Sequence, residues 1–131
     1  MAIPTTYSPG VCNIGDAEIA RRRRGGTIGL AAYIIVLIVL IATGASSTWY
    51  LLLFLPALVA AGGYVQAAYR FCYYFGFSSL FNFGQLGGQQ PVPDAAARQR
   101  DRAKAIRVLA TAVLIAAGAT LIAYGLAISF A

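Results

Sequence analysis

The chain has 131 residues, of which 60% are hydrophobic and only 11% are charged, and its formal net charge is +6. Soluble domains carry about 25% charged residues, so this composition excludes an ordinary soluble domain and predicts an integral membrane protein. The chain has no histidine, the commonest general base and a frequent zinc ligand, and its length leaves no room for a catalytic domain beside several membrane helices.

The N-terminal segment 1–24 carries a helix start signal and a run of arginines. Asp16 suits the start of a helix, and Glu18 in its first turn complements the helix dipole. We therefore expect a short basic helix at the cytoplasmic surface. Its basic residues are candidate contacts for anionic lipid or for a partner protein, and they are Arg21, Arg22, Arg23 and Arg24.

The next 45 residues, 25–69, include no charged side chain. As one helix they would be about 68 Å long, far more than the hydrocarbon core of about 30 Å requires. We predict two spans, at about 26–44 and 49–69, with Ser47 or Thr48 capping the second one. Pro56 predicts a kink in the second span. Gly25 and Gly29 form a Gly-x-x-x-Gly spacing that favours close helix packing.

An aromatic segment follows the second span, and seven of the thirteen residues in 71–83 are aromatic. Aromatic rings favour the membrane–water interface, so we interpret it as an interfacial segment. The alternative is a docking surface, or a contact for lipid, quinone or pigment, although the sequence identifies no cofactor. The candidate residues are Phe71, Tyr73, Tyr74, Phe75, Phe77, Phe81 and Phe83. Residues 84–93 are rich in Gly, Pro and Gln and are predicted to be a connector within a cytoplasmic segment 70–107.

A third span is predicted at about 108–131. Asp94 is a good N-cap, so we expect the helix to begin at residue 95 and its first dozen residues to stand outside the membrane. Small residues recur on one side of this helix at spacings of three and four, which is the close-packing pattern of membrane helices. The packing candidates are Ala112, Ala116, Ala119 and Ala123.

The distribution of charge predicts the orientation. All ten basic residues precede the first span, follow the second or precede the third. By the positive-inside rule the N-terminus is cytoplasmic and the C-terminus lies outside, in what we expect to be a bacterial cytoplasmic membrane. The fold class is then an all-α membrane protein, with residues 25–131 as one three-helix domain. The net charge reports this topology, and we do not expect nucleic acid binding.

Two cysteines, Cys12 and Cys72, fall on the same predicted side of the membrane. Cytosolic thiols are normally reduced, and two thiols without histidine cannot complete a usual zinc site, so we expect no metal site. A redox-active or soft-metal-handling thiol pair stays open as an alternative, because nearby arginines would lower a thiol pKa and raise its reactivity.

These observations favour a non-catalytic protein. The leading hypothesis is a small accessory subunit of a larger membrane protein complex, which supplies helix-packing faces and a cytoplasmic docking surface. A thiol protein on the cytoplasmic side is the first alternative. A homo-oligomeric channel or transporter is the second, disfavoured because no charged residue lies within any span. The stretches Cys-Asn-Ile-Gly, Arg-Phe-Cys and Phe-Asn-Phe-Gly resemble a motif set, to which no activity can be attached.

Overall fold

A computed structural model describes residues 7–130 of the chain. Residues 1–6 of the predicted N-terminal segment and Ala131 at the end of the third predicted span lie outside the described residues. The protein is mostly helical, at 73%, and three helices are long and apolar enough to span a membrane. These three helices are compatible with an integral membrane protein.

The first helix, α1, runs from Asp16 to Ala42 without a break. It begins at the predicted residue, but the short basic helix is not separate from the first span. Two consecutive glycines cost about 1 kcal/mol each relative to alanine inside a helix, and here they do not end it. Gly26 packs against the Tyr64 ring of the neighbouring helix, so the helix has a packing partner at this point.

Two residues after the end of α1 the chain turns at a left-handed Gly44, with φ +63°. The Ala45 amide donates to the Leu40 carbonyl at 3.1 Å and the Gly44 amide to the Ile41 carbonyl at 3.2 Å, which is the Schellman pattern. A 3-10 helix, Ser47–Leu53, then leads into α2, Phe54–Tyr69. The residue that precedes the 3-10 helix is Ser46, whose side chain makes no capping bond, so the predicted cap was wrong.

Pro56 lies within the first turn of α2, just after the change from 3-10 to α-helix. Amides in the first turn of an α-helix have no i−4 carbonyl within that α-helix, so the missing N–H breaks no interior α-helical bond. The irregularity expected at this proline therefore coincides with a change of helix type.

After α2 the chain forms a short helix, α3, Tyr73–Ser78, and a pair of two-residue strands. These strands, β1 (Leu80–Phe81) and β2 (Gln90–Pro91), are antiparallel. Strand β1 precedes the predicted connector and β2 lies within it, so this pair departs from the all-α expectation. The last helix, α4, spans Ala95–Ser129. Asp94 Oδ2 accepts the Ala97 amide at 3.1 Å, so the predicted N-cap is confirmed.

Helix α2 packs between α1 and α4, and glycines set its distance from α1. A Cβ placed on Gly29 would lie 2.5 Å from the Ala60 amide nitrogen, and one on Gly63 would lie 2.4 Å from the Gly26 nitrogen. Gly25 faces open space. The close contact expected at Gly25 and Gly29 is therefore made by Gly26 and Gly29. Helix α2 packs against the face of α1 that carries Gly26, and a Cβ on the neighbouring Gly25 would meet no atom of α2 within 4 Å.

Helix α4 contributes a face of small residues to the core. Ala112 and Ala116 are almost fully buried and pack with Ala57 and Ala61 of α2, and Ala123 belongs to a second cluster with Leu53. Ala119 is only half-buried, and its carbonyl accepts the Tyr33 hydroxyl at 3.3 Å. The buried line instead includes Thr120, whose hydroxyl donates to the Ala116 carbonyl at 2.7 Å.

The apolar surfaces of the outer helices are largely uncovered. Only 17% of the most apolar stretch of α1 is buried inside the protein, against 44% for Ser47–Tyr69 and 28% for α4. Large aliphatic side chains of both outer helices are exposed, among them Ile35 and Ile122. Such faces suit contact with lipid chains or with the helices of another protein.

Candidate functional site

One end of the helix bundle, which we call the basic end, carries the N-terminal segment, α3, the two strands and the start of α4. The three stretches that resembled a motif set meet there, at residues 12–15, 70–72 and 81–84. They form a hydrogen-bonded polar assembly that holds the segments together across long stretches of sequence.

Asn13 is the centre of this assembly and is completely buried. Its Nδ2 donates to the Cys72 carbonyl at 3.1 Å, and its Oδ1 accepts the Cys72 amide at 2.7 Å. The Asn13 backbone amide also donates to the Arg70 backbone carbonyl at 3.2 Å. The side-chain amide therefore satisfies both backbone groups of one residue, much as a neighbouring strand would.

Arg70 itself has a left-handed backbone, with φ 54°. The Phe71 amide donates to the Gln66 carbonyl at 3.1 Å and the Arg70 amide to the Ala67 carbonyl at 3.3 Å. This is the same Schellman pattern as at Gly44, but here the left-handed position carries a side chain and costs about 1–2 kcal/mol. The turn sends the chain back towards Asn13.

Asn82 joins the third stretch to the first. Its backbone amide donates to the Asn13 backbone carbonyl at 2.9 Å, and its backbone carbonyl accepts the Gly15 amide at 2.8 Å. A Cβ on Gly15 would lie 3.0 Å from the Cα of Phe83, so the glycine permits this close backbone contact. Phe83 itself is half-buried.

Glu18 links the connector, residues 84–93, to α1 through hydrogen bonds. It is only 1% exposed, and its Oε2 accepts Arg22 Nη1 at 2.6 Å. Its Oε1 accepts the Gly87 amide at 3.0 Å and Asn82 Nδ2 at 3.3 Å. A buried carboxylate is stable only when it is paired and hydrogen-bonded in this way.

Asp101 fastens the N-terminal segment to α4. It is fully buried and accepts the Tyr7 hydroxyl and the Gly10 amide, the latter at 2.8 Å. The Tyr7 ring stacks on Phe81 with centroids 4.6 Å apart. The pKa of Tyr7 is raised above its ordinary value, mainly by burial and to a lesser extent by the hydrogen bond to the Asp101 carboxylate. The hydroxyl therefore remains a donor.

The aromatic segment divides into a buried and an exposed set. Phe71 and Phe75 are buried, and a Cβ on Gly76 would lie 2.8 Å from the Ala105 Cβ, so α3 lies close against α4. Tyr74 and Phe77 are 58% and 42% exposed. Tyr73 and Phe81 are half-buried. The segment is therefore part of the protein core on one side and a surface on the other.

The four candidate arginines of α1 differ in exposure. Arg21, Arg23 and Arg24 are exposed. Arg22 is half-buried, and besides Glu18 it donates from Nη2 to the Cys72 Sγ at 3.0 Å. Arg22 thus stabilises the interior of the assembly, and the other three remain available at its surface.

Both thiols are buried, at 1% and 2% exposure, and no disulfide joins Cys12 to Cys72. Burial raises the pKa of the Cys12 thiol, and the opposing influence of Arg70 is weaker. For Cys12 this is opposite to the lowering by nearby arginines on which the thiol alternative depends. Within residues 7–130 no group of three or more His, Cys, Asp or Glu side chains is arranged to hold a metal ion.

A cleft of about 350 Å³ opens beside the assembly, between Glu18, Arg22, Cys72 and Tyr74. Gln66 lines its floor. Its Nε2 donates to the Gly62 carbonyl at 2.9 Å, and its Oε1 accepts the Tyr73 amide at 3.3 Å. The polar side chain therefore links α2 to the start of α3.

The sequence alone does not indicate the hydrogen-bonding roles of four residues, Asn13, Glu18, Asn82 and Asp101. A usable signal for two of them is scarcity, because the chain has only four acidic residues, and Glu18 and Asp101 both stand among basic residues on a helix. The two asparagines lie in the stretches that resembled a motif set.

Comparison of the chain with protein-family models, with curated proteins and with solved structures finds no match.

Proposed function

We propose that this protein is a small non-catalytic subunit of a larger membrane protein complex. In this proposal the basic end faces the cytoplasm, as the positive-inside rule indicates, and the C-terminus of α4 lies on the other side. The basic end presents a docking surface to the partner, and the uncovered faces of α1 and α4 pack against lipid or partner helices.

The observation that carries the proposal is the packed and hydrogen-bonded support beneath the exposed aromatic residues of α3. Phe75 is buried on one side of this helix, and Tyr74 and Phe77 are exposed on the other. The helix is fixed before its first residue by the two Asn13–Cys72 bonds and along its length by the contact of Gly76 with α4. Exposed aromatic side chains on a rigid support are typical of the residues that dominate binding energy at protein interfaces.

The arginines of α1 lie beside the exposed aromatic residues of α3 and support a docking role for this surface. Arg22 Cζ lies 5.8 Å from the Phe75 ring centroid, which places the arginine run of α1 beside α3. Tyrosine, phenylalanine and arginine together are enriched at interface cores. An acidic or aromatic-binding surface on the partner fits this combination.

The test compares three forms of the full chain, each purified by an affinity tag from its own membrane in mild detergent. The forms are the native protein, the variant with Tyr74→Ala and Phe77→Ala, and a control with Trp49→Ala and Phe130→Ala. The control pair is also aromatic and exposed, at 57% and 85%, but lies at the opposite end of the bundle. We expect the α3 variant to lose its co-purifying proteins and the control to retain them. Equal recovery of the same partners from all three forms contradicts a docking role for α3.

A second candidate, a thiol protein on the basic side, is favoured by one contact. Arg22 Nη2 donates to the Cys72 sulfur at 3.0 Å beside the cleft. This candidate requires Cys72 to react with a small thiol reagent such as methyl methanethiosulfonate faster than Cys12 does, measured by mass spectrometry. Equal protection of both thiols in the folded protein removes it.

A further inference from the structure

Two cavities lie at different levels along α4, the first between α4 and the N-terminal segment and the second among α1, α2 and α4. The first is a cleft of about 290 Å³ at the basic end, lined by Arg100, Lys104 and Arg107 of α4 and by Pro9 and Gly10 of the N-terminal segment. The second is an almost entirely apolar groove of about 370 Å³, whose lining includes Ala61 and Val65 of α2 and Ile115 of α4. The first suits a negatively charged group and the second suits a hydrocarbon chain.

One residue of each cavity, Lys104 of the cleft and Ile115 of the groove, lies on nearly the same side of α4. On α4, Ile115 follows Lys104 by eleven residues, which at about 100° per residue returns to within about 20° of the same direction and rises about 16 Å. On α2, Tyr69 lies one turn beyond Val65, and Lys104 Nζ is 4.6 Å from the Tyr69 ring centroid. Lys104 of the cleft therefore contacts α2 one turn from Val65 of the groove.

The depth of each cavity matches the parts of an amphiphile. Arg107 is the last charged residue before the apolar part of α4, so the cleft lies where the charged part of the helix ends. The groove lies beyond this level, among residues of the apolar spans. An amphiphile with its head at Lys104 would extend its chain past Ile115.

We propose that this face binds one anionic phospholipid, with its phosphate at Arg100, Lys104 and Arg107 and one acyl chain in the groove. Among the described residues, those that line the cleft include three cations and no acidic side chain. Asp101 is close in sequence, but it is buried and accepts bonds from Tyr7 and Gly10. A second copy of this chain is a poorer occupant, because its basic end would repel these cations.

The position of Lys104 strengthens the assignment. Its ammonium lies over the Tyr69 ring, so a cation–π contact holds it at the head of the groove before a ligand arrives. A pre-positioned cation loses less conformational freedom on binding than a free lysine side chain does. The proposal is independent of the docking role of α3, because none of the residues of the two cavities belongs to that helix.

The test measures lipid retention by native mass spectrometry on the full chain in non-ionic detergent, with phosphatidylglycerol or phosphatidylcholine added. The cleft variant carries Arg100→Gln, Lys104→Gln and Arg107→Gln. The control carries Arg21→Gln, Arg23→Gln and Arg24→Gln, with the same change of charge at exposed positions of the same end. We expect the cleft variant to lose at least about tenfold in phosphatidylglycerol retention, since the loss of even one charge-assisted hydrogen bond to the phosphate changes affinity by about that factor, and the arginines of the control do not line the cleft. The control should lose much less.

A groove variant, Ile115→Trp, distinguishes a lipid from a free phosphate. Ile115 is 52% exposed, so the larger side chain can enter the groove without disturbing the core. We expect it to reduce phosphatidylglycerol retention and to leave binding of glycerol 3-phosphate unchanged. Equal losses in the cleft variant and its control overturn the proposal, and so does equal retention of the two lipids by the native chain. A lipid-free dimer that Ile115→Trp dissociates assigns the groove to a second copy and also overturns it.

Discussion

The side chain of Asn13 and the backbone of Cys72 are joined by two hydrogen bonds, although the residues are 59 positions apart in the sequence. This pair connects the N-terminal segment to the start of α3. It links the exposed aromatic surface to the rest of the basic end, so its loss should affect stability as well as partner binding.

Substitution of Asn13 tests the energetic role of this pair. Asn13→Ala leaves the Cys72 amide and carbonyl buried without these partners, and each unsatisfied buried group costs about 1–3 kcal/mol. We expect a loss of about 2–5 kcal/mol in stability, measured as thermal unfolding in detergent. Gln89→Ala is the matched control, because Gln89 is an exposed amide of the same end. Equal stability of the two variants would show that the pair does not hold the assembly.

Substitution of Glu18 tests the buried ion pair. Glu18→Gln leaves the partly buried Arg22 guanidinium without its charge partner, which typically costs about 3–5 kcal/mol for a fully buried pair and somewhat less here. Asp16→Asn removes an exposed acid from the same turn and should change stability by less than about 1 kcal/mol. Denaturant unfolding of both variants measures the difference. A smaller loss for Glu18→Gln than for Asp16→Asn contradicts the anchoring role.

The glycines of α1 give a test of helix packing within one short segment. Gly29→Ala places a Cβ 2.5 Å from the Ala60 backbone nitrogen, so α1 and α2 must separate and several kcal/mol should be lost. Gly25→Ala meets open space and should stabilise the helix by up to about 1 kcal/mol. Thermal unfolding of the two variants checks the difference. Two equal losses would mean that α2 contacts α1 through the face that the sequence predicted.

The raised pKa of Cys12 predicts slow alkylation. A raised pKa means that less thiolate is present at a given pH, so iodoacetamide should modify Cys12 more slowly than an exposed thiol at pH 8, and the rate should continue to rise above pH 9. Val11→Cys in a Cys12→Ser background provides the comparison, because Val11 is 53% exposed. Denaturant should abolish the difference. Equal rates in the folded protein would contradict the burial of Cys12.

The sequence predicts those features of the fold that depend on residues close together in the chain. Hydropathy shows three spans because each is a continuous apolar stretch, and Asp94 shows a helix start because an N-cap acts within three residues. The glycine spacing of α1 predicts close packing but not its direction, since Gly25 and Gly26 are adjacent and only the position of Gly63 distinguishes them.

The candidate site was harder to predict because its bonds join distant segments. Asp101 binds Gly10 across 91 positions, and Glu18 binds Gly87 across 69. No periodicity or spacing records such pairs. The aromatic segment was recognised by composition, but the separation into buried Phe75 and exposed Tyr74 depends on how α3 lies against α4.

The most direct test of the proposed function is the mass of the native particle. The protein is extracted from its own membrane in mild detergent, and native mass spectrometry measures the mass and composition of the particle. We expect this chain to be present in a fixed ratio with at least one larger membrane protein. A particle that contains only this chain and lipid would contradict the accessory-subunit proposal.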